Sequence, residues 1–143
     1  NERRRRNAAL YRRLFSEAGI AARVEGFRLP PASSARETGV ALSTDLAPGP
    51  LPEEVSNYHQ FTIRAPRRDE LKAWLGERGI QTGVYYPSPV PMQPVFASLG
   101  HKEGDFPVAE AAAREVLSLP IHQYLTPAQV ERVAGSIVEF FER

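Results

Sequence analysis

The sequence has 143 residues, of which 42% are hydrophobic and 24% charged, and its formal net charge is +1. This composition is typical of one soluble globular domain, and the near-neutral charge argues against a nucleic-acid footprint over the whole surface. The absence of cysteine excludes disulfides and thiolate metal sites. No apolar run approaches the length of a membrane span. We therefore expect a cytoplasmic protein that binds neither membrane nor nucleic acid.

The first predicted element is a helix over residues 1–19, ended by Gly19. Its apolar residues recur at helical spacing and are Leu10, Tyr11, Leu14 and Ala18. The chain opens directly on this pattern without an initiator methionine, which suggests a fragment. The arginines at positions 3–6, 12 and 13 suit a nucleic-acid patch or the solvated or partner-facing side of a long helix, and the neutral overall charge favours the second interpretation.

The next stretch is rich in proline, glycine and serine and is the least regular part of the chain. We expect a short strand at residues 24–29 and a long loop over 30–55, with a short extended piece near 40–42. A loop of this length is uncommon in a compact domain, so it is either mobile or lies against polypeptide outside this chain.

Residues 57–65 read NYHQFTIRA and form the strongest strand pattern, because aromatic and β-branched residues dominate them and Pro66 follows. Alternation predicts one face with His59, Phe61 and Ile63. The other face then carries Tyr58, Gln60, Thr62 and Arg64. His59 is more often a histidine at the edge of a core than a ligand-binding group in such a pattern, although both interpretations stay open.

A helix is predicted over residues 67–78, with Asp69 and Glu70 favourably placed in its first turn and Gly79 at its end. Its buried stripe is Leu71, Trp74 and Leu75. A strand at 82–86 follows. Strand, helix and strand joined by short links predict two strands that are parallel neighbours or that flank a third.

The stretch over residues 79–96 carries two adjacent tyrosines and prolines at 87, 89, 91 and 94. Proline lacks an N–H donor and fixes its backbone, so this run cannot be a helix or, past Tyr86, a central strand. A rigid segment of this kind holds Tyr85 and Tyr86 in place, as binding loops do. The alternative is a surface crossover whose tyrosines only pack.

In the last third of the sequence, the pattern predicts a helical turn at 94–99 and then a helix that is capped by Asp105 and runs to about Glu115. A strand is predicted at 117–119, and Pro120 ends it. Asp105 and Glu110 are interpreted as capping and solvated groups. In the final helix, Thr126 is the predicted N-cap, Pro127 occupies the first helical position, and Gln129 completes a capping box with Thr126. Its apolar stripe is Val130, Val133, Ala134, Ile137, Val138 and Phe141.

Together these elements predict an α/β domain with a sheet of about three strands and helices mainly on one face. The second face would need a partner or water. The sequence has no glycine-rich phosphate loop and no nucleophile elbow, and its three histidines lack metal-ligand spacing. We therefore expect polar and aromatic binding groups, but no catalytic set, cofactor-binding residue or metal site.

Three segments in order, NYHQFTIR, RRDELKAWLGERGIQTGVYYPSPVPMQPVF and LGHKEGDFPVAEAAAREVLSLPIHQYLTPAQVERV, resemble the C-terminal part of the DegT/DnrJ/EryC1/StrS family. Members of this family are pyridoxal-phosphate-dependent aminotransferases that act on nucleotide-linked keto-sugars. The resemblance implies that residues 1–143 are a single C-terminal small domain of the fold-type-I aminotransferase kind. Residues 1–19 would be its connecting helix and 30–55 its long loop.

The resemblance also implies that pyridoxal 5'-phosphate is bound mainly by a large domain, which supplies the Schiff-base lysine. Lys72 and Lys102 do not match that position, so we expect this chain to be inactive alone. The implied partners are a nucleotide-sugar substrate, an amino donor such as glutamate, and a second copy in a homodimer. The implied setting is polysaccharide or glycoside biosynthesis.

On the substrate side, the family's frequent His-Tyr-Pro is Tyr85-Tyr86-Pro87 here, a form that resembles members aminating 3-keto sugars, including UDP-linked 3-keto-glucuronates. The substrate-binding residues that the resemblance implies are Tyr85, Tyr86, His59, Tyr58 and Gln93. A different hypothesis is a stand-alone α/β module that binds a ligand or RNA. That hypothesis needs aromatics on an exposed sheet face, where the pattern offers Tyr58 alone.

Overall fold

A computed structural model describes residues 1–30 and 56–143, so the predicted extended piece at 40–42 and all but the first residue of the predicted long loop lie outside the described residues. The helices are α1 (Glu2–Glu17), α2 (Ile20–Arg23), α3 (Arg68–Glu77), α4 (Pro107–Glu115) and α5 (Pro127–Glu142); the strands are β1 (Phe61–Arg64) and β2 (Val116–Leu119). Two 3₁₀ turns cover Val90–Met92 and Pro94–Leu99. Within these ranges, every helix is too short or too polar to cross a membrane.

The sheet of the described residues has two antiparallel strands, with Phe61 opposite Leu119 and Arg64 opposite Val116. One antiparallel bridge on each side, Arg28 to Arg64 and Gly83 to Ser118, extends it. Since β2 stands between β1 and Gly83, the chain before and after α3 flanks a third strand, which is one of the two predicted arrangements.

The prediction of about three full strands is wrong for the described residues. Residues 24–29 contribute only a bridge, because Gly26 turns the chain with a φ of 83° directly before Phe27. The strand predicted at 82–86 is also a single bridge, which Tyr85 and the prolines after it do not extend. Strand β1 starts later than predicted, because Tyr58 has a left-handed backbone with a φ of 45°.

The core lies where α1, α3 and α5 meet the Phe61 and Ile63 side of the sheet. The ring of Tyr11 stacks on that of Phe61, with the centroids 5.1 Å apart. On the opposite side, the hydroxyls of Thr62 and Ser118 lie 2.7 Å apart across the strands. Burial of the apolar side chains supplies most of the driving force that holds these layers together.

Helix ends follow the sequence closely. The Thr126 hydroxyl accepts from the Gln129 N–H while the Gln129 side chain accepts from the Thr126 N–H, which is the predicted capping box. Gly19 and Gly79 take the left-handed backbone just after α1 and α3, as predicted. The buried faces differ slightly from the predicted stripes. Helix α1 buries Asn7, Ala8, Tyr11 and Phe15, and α5 buries Phe140 more deeply than Phe141.

The start of α4 corrects two predictions. Phe106, rather than Asp105, is the N-cap residue, and the Asp105 carboxylate instead accepts from the Lys102 N–H at 2.9 Å. Glu110 is not solvated but 7% exposed. Its carboxylate accepts from the backbone N–H groups of Gly104 and Phe106 at 2.9 to 3.0 Å, which satisfies donors that precede the helix.

Candidate functional site

An open cleft of about 420 Å³ lies at the edge of the sheet. Four separate parts of the chain line it: the first turn of α1, the residues before β1, residues 81–85, and the end of β2 with the three residues after it. Its polar side chains are Arg4, His59, Gln60, Gln81, Thr82, Tyr85, Ser118 and His122. Its volume falls in the usual range for small-molecule sites.

The Tyr85 ring is folded back over Gly83. A Cβ on Gly83 would lie 2.5 Å from Cε2 and 2.8 Å from the hydroxyl of Tyr85, distances that real Cβ atoms do not tolerate. Gly83 is fixed in turn by two backbone hydrogen bonds with Ser118, of 3.0 and 2.7 Å. The absence of a side chain at position 83 therefore lets the half-exposed phenol of Tyr85 lie at the cleft.

The wall formed by residues 120–122 is held by helix α1. The Tyr11 hydroxyl donates to the Pro120 carbonyl at 3.0 Å, and the Asn7 amide donates to the His122 carbonyl at 3.2 Å. Both α1 residues are buried, and burial raises the pKa of Tyr11 above its ordinary value. The neutral phenol is thus kept as a donor to the wall.

The side chains lining the cleft include no aspartate, glutamate or lysine. They offer a guanidinium, two imidazoles, two amides and three hydroxyls. Such a lining can donate hydrogen bonds to anionic oxygens, and it can both donate hydrogen bonds to sugar hydroxyls and accept them. It offers no carboxylate to balance a ligand cation, so its chemistry suits an anionic, oxygen-rich ligand.

Two of the five predicted substrate residues, His59 and Tyr85, line this cleft. His59 is exposed, so the interpretation of it as a histidine at the core edge is wrong. Tyr86 is 68% exposed and Gln93 is half-buried, and both lie outside the cleft lining.

Tyr58 is buried, which corrects the predicted face of this residue. It is 7% exposed and packs on Phe61 with ring centroids 6.1 Å apart. Its left-handed backbone breaks the strand alternation, so Tyr58 turns inward while His59 and Gln60 turn outward. The alternative hypothesis of an RNA-binding sheet needed Tyr58 as an exposed aromatic, but this side chain lies in the core.

Six polar lining residues were not predicted as site residues from the sequence. They are Arg4, Gln60, Gln81, Thr82, Ser118 and His122. Arg4 alone carried a usable signal, because it stands three residues before Asn7 and seven before Tyr11 and so shares their helix face. The others come together only through the sheet register.

Neither lysine of the sequence lies at this cleft. Lys72 is exposed on α3, and Lys102 is exposed in the turn before α4. A pyridoxal cofactor needs a lysine amine, so these residues do not fit it as its attachment site. Across residues 1–30 and 56–143, no group of three histidine or acidic side chains is close enough to hold a metal ion.

Comparison with known proteins gives a family match over residues 1–138, to the DegT/DnrJ/EryC1/StrS aminotransferase family. The "Pleiotropic regulatory protein" of Geobacillus stearothermophilus is 44% identical over 144 residues, which is 98% of this chain and 32% of that protein. The dTDP-3-amino-3,4,6-trideoxy-alpha-D-glucose transaminase of Streptomyces venezuelae is 44% identical over 96 residues, covering 67% of this chain and 25% of the enzyme.

Among solved structures, S. venezuelae DesV in complex with a ketimine intermediate matches with a TM-score of 0.71 and 36% identity. The match covers 96% of this chain and 32% of that one. The chain therefore spans about a third or less of the proteins that it resembles.

Proposed function

Because this chain belongs to the DegT/DnrJ/EryC1/StrS aminotransferase family, we propose that residues 1–143 are the C-terminal small domain of a pyridoxal-phosphate-dependent transaminase. The whole enzyme would aminate a nucleotide-linked keto-sugar with glutamate as amino donor. The observation that supports this substrate class most directly is the cleft whose lining has hydrogen-bond donors but no carboxylate or lysine. A nucleotide sugar offers the diphosphate and hydroxyl oxygens that such a lining binds.

Within the cleft, the roles proposed for this chain concern binding. Tyr85 and His59 would donate hydrogen bonds to substrate oxygens, and Gly83 would keep the Tyr85 ring in place. Tyr86 and Gln93 would reach the substrate only where the remaining polypeptide extends the cleft. Pyridoxal phosphate supplies the electron sink for amino transfer when bound. A lysine outside this chain would hold it, since Lys72 and Lys102 stand away from the cleft.

For the sugar, we propose a 3-keto substrate and specifically a UDP-linked 3-keto-hexuronate used in polysaccharide or glycoside biosynthesis. The Tyr85-Tyr86-Pro87 form supports this choice, as does the 3-amino product in the name of the S. venezuelae relative. That relative's name specifies a dTDP sugar, so UDP and dTDP substrates must be compared directly.

The test uses the full-length polypeptide, with its upstream region restored, beside the 143-residue chain. We expect the full-length protein to show pyridoxal absorbance and to convert a UDP-3-keto-hexuronate to its 3-amino sugar with glutamate. The 143-residue chain should do neither. A full-length protein that binds no pyridoxal phosphate contradicts the proposed function, and a higher kcat/KM with the dTDP-3-keto-hexose contradicts the choice of sugar.

A further inference from the structure

One face of the first three turns of α1 points at the cleft wall. Asn7 and Tyr11 on this face donate to the His122 and Pro120 carbonyls. Arg4 precedes them by three and seven residues, so it stands on the same face one turn nearer the helix start. Arg4 and His122 both line the cleft, on the side where α1 contacts residues 120–122.

In the part of the chain that the structure describes, Arg4 differs from two of the other α1 arginines in having no paired carboxylate. Arg6 forms an ion pair with Glu2, and Arg13 forms one with Glu17 at 3.7 Å. Among the described residues, Arg4 has no carboxylate partner, and the cleft that it lines contains none. A guanidinium that faces a cleft without a counter-ion is suited to a bidentate anionic oxygen ligand.

His122 has one ring nitrogen already occupied. Its Nδ1 accepts from the Tyr124 backbone N–H at 3.3 Å. In the neutral ring the proton then lies on Nε2, which makes Nε2–H the donor that the ring can offer a ligand. The carbonyl of the same residue is bound by Asn7, so both the ring and the backbone of His122 are oriented.

We propose that Arg4 and His122 form an oxyanion subsite that takes the diphosphate of the nucleotide sugar, an inference that rests on the proposed function. Glutamate, the other anion of the reaction, gives up its amino group at the cofactor, which a lysine outside this chain would hold. The amide and hydroxyl side chains that line the same cleft suit the sugar attached to the diphosphate, whereas glutamate has no hydroxyl groups for them to bind.

The experiment measures the Kd of UDP and of inorganic pyrophosphate by calorimetry in full-length protein, together with the rate at which L-glutamate alone changes the pyridoxal absorbance. Arg4→Gln is compared with Arg3→Gln, which removes the same charge from an exposed neighbour outside the cleft lining. His122→Asn is the second variant, because an amide oxygen can still accept from the Tyr124 N–H while the Nε2 donor is lost.

We expect Arg4→Gln to weaken the binding of both probes about tenfold or more, the usual effect of losing a hydrogen bond to a charged group. Arg3→Gln should leave both Kd values within about twofold, since an exposed charge is largely screened. His122→Asn should weaken binding by a smaller factor. The glutamate-driven absorbance change should be the same in all variants.

Equal Kd values for Arg4→Gln and Arg3→Gln would overturn the subsite, and so would a loss confined to the glutamate step, which would assign Arg4 to the amino donor. Failure of the proposed function looks different, because the unsubstituted full-length protein would then show no pyridoxal absorbance at all. Circular dichroism of each variant checks that α1 is intact.

Discussion

Gly83 is the residue on which the position of Tyr85 depends. In Gly83→Ala the new methyl would have to displace the Tyr85 ring from its place 2.5 Å away. We predict that KM for the sugar nucleotide rises about tenfold in the full-length protein, the value of one lost hydrogen bond.

The matched control for that substitution is Gly76→Ala, since a Cβ there meets no atom within 4 Å. It lies inside helix α3, where alanine is preferred over glycine. If both alanine variants keep the original KM, the phenol of Tyr85 does not bind substrate.

Glu110 is the second residue whose environment makes a sharp prediction. Its buried carboxylate accepts from the N–H groups of Gly104 and Phe106. Glu110→Gln replaces a charged acceptor with a neutral amide, which weakens both bonds. We predict that the Gly104 and Phe106 amides exchange with solvent about tenfold faster, measured by hydrogen exchange. Glu103→Gln, at an exposed neighbour, should leave their rates unchanged.

At the scale of the element, helix α5 begins with a reciprocal cap that contributes directly to stability. Thr126→Ala removes the hydroxyl that accepts from the Gln129 N–H. We predict a loss of about 1 kcal/mol in the free energy of unfolding. Urea unfolding followed by circular dichroism measures it, and Thr126→Ser, which keeps the hydroxyl, should restore most of the loss. Equal stability of all three proteins would mean that the cap contributes nothing.

Helix α1 carries a pH-dependent contribution through Tyr11. Burial raises the pKa of this phenol, so the folded state favours the neutral form. Its contribution is fully present below the ordinary tyrosine pKa of about 10, and it is lost as pH rises above that value. We predict that the melting temperature falls steeply above about pH 10, and that Tyr11→Phe lessens this fall. The same alkaline slope in Tyr11→Phe would assign it to other groups.

The helix ends could be predicted from the sequence, whereas the environments of Tyr58 and Glu110 could not. The cap of α5 and the glycines that end α1 and α3 were predicted because neighbouring residues alone decide them. Tyr58 was assigned to the wrong face because its left-handed backbone reverses the alternation of the strand. No residue type in this part of the sequence indicates that conformation. Glu110 was misread because its donors belong to a turn whose path depends on tertiary packing.

At the scale of the whole molecule, two of the predicted substrate residues, His59 and Tyr85, line the cleft, and its six other polar residues were not predicted. The cleft joins four segments that are far apart in the chain. The pairing of β1 with β2, and of Gly83 with Ser118, brings three of them together, and the hydrogen bonds from Asn7 and Tyr11 add the start of α1. Spacing along a sequence cannot reveal such a site unless the register of the sheet is known.

The proposed homodimer is tested at this scale as well. Val95 and Leu99, both in the 3₁₀ turn Pro94–Leu99, are large apolar side chains that are left exposed. Apolar side chains gathered on a surface favour contact with a partner, and for these we propose a second copy. We predict that full-length protein has the mass of a dimer by light scattering, and that Val95→Ser with Leu99→Ser shifts it toward the monomer. An unchanged dimer in the double variant would place the interface elsewhere.

The bonds from Asn7 and Tyr11 to the Pro120–His122 wall have one further consequence. These two bonds fasten helix α1 to residues 120–122, so the backbone spacing between Arg4 and His122 is set before any ligand binds. Ligand binding then requires little additional ordering of the protein backbone, so the entropy cost of binding is small. If Arg4 and His122 bind a diphosphate as proposed, a preset spacing would also favour anions whose length matches the distance between the two side chains.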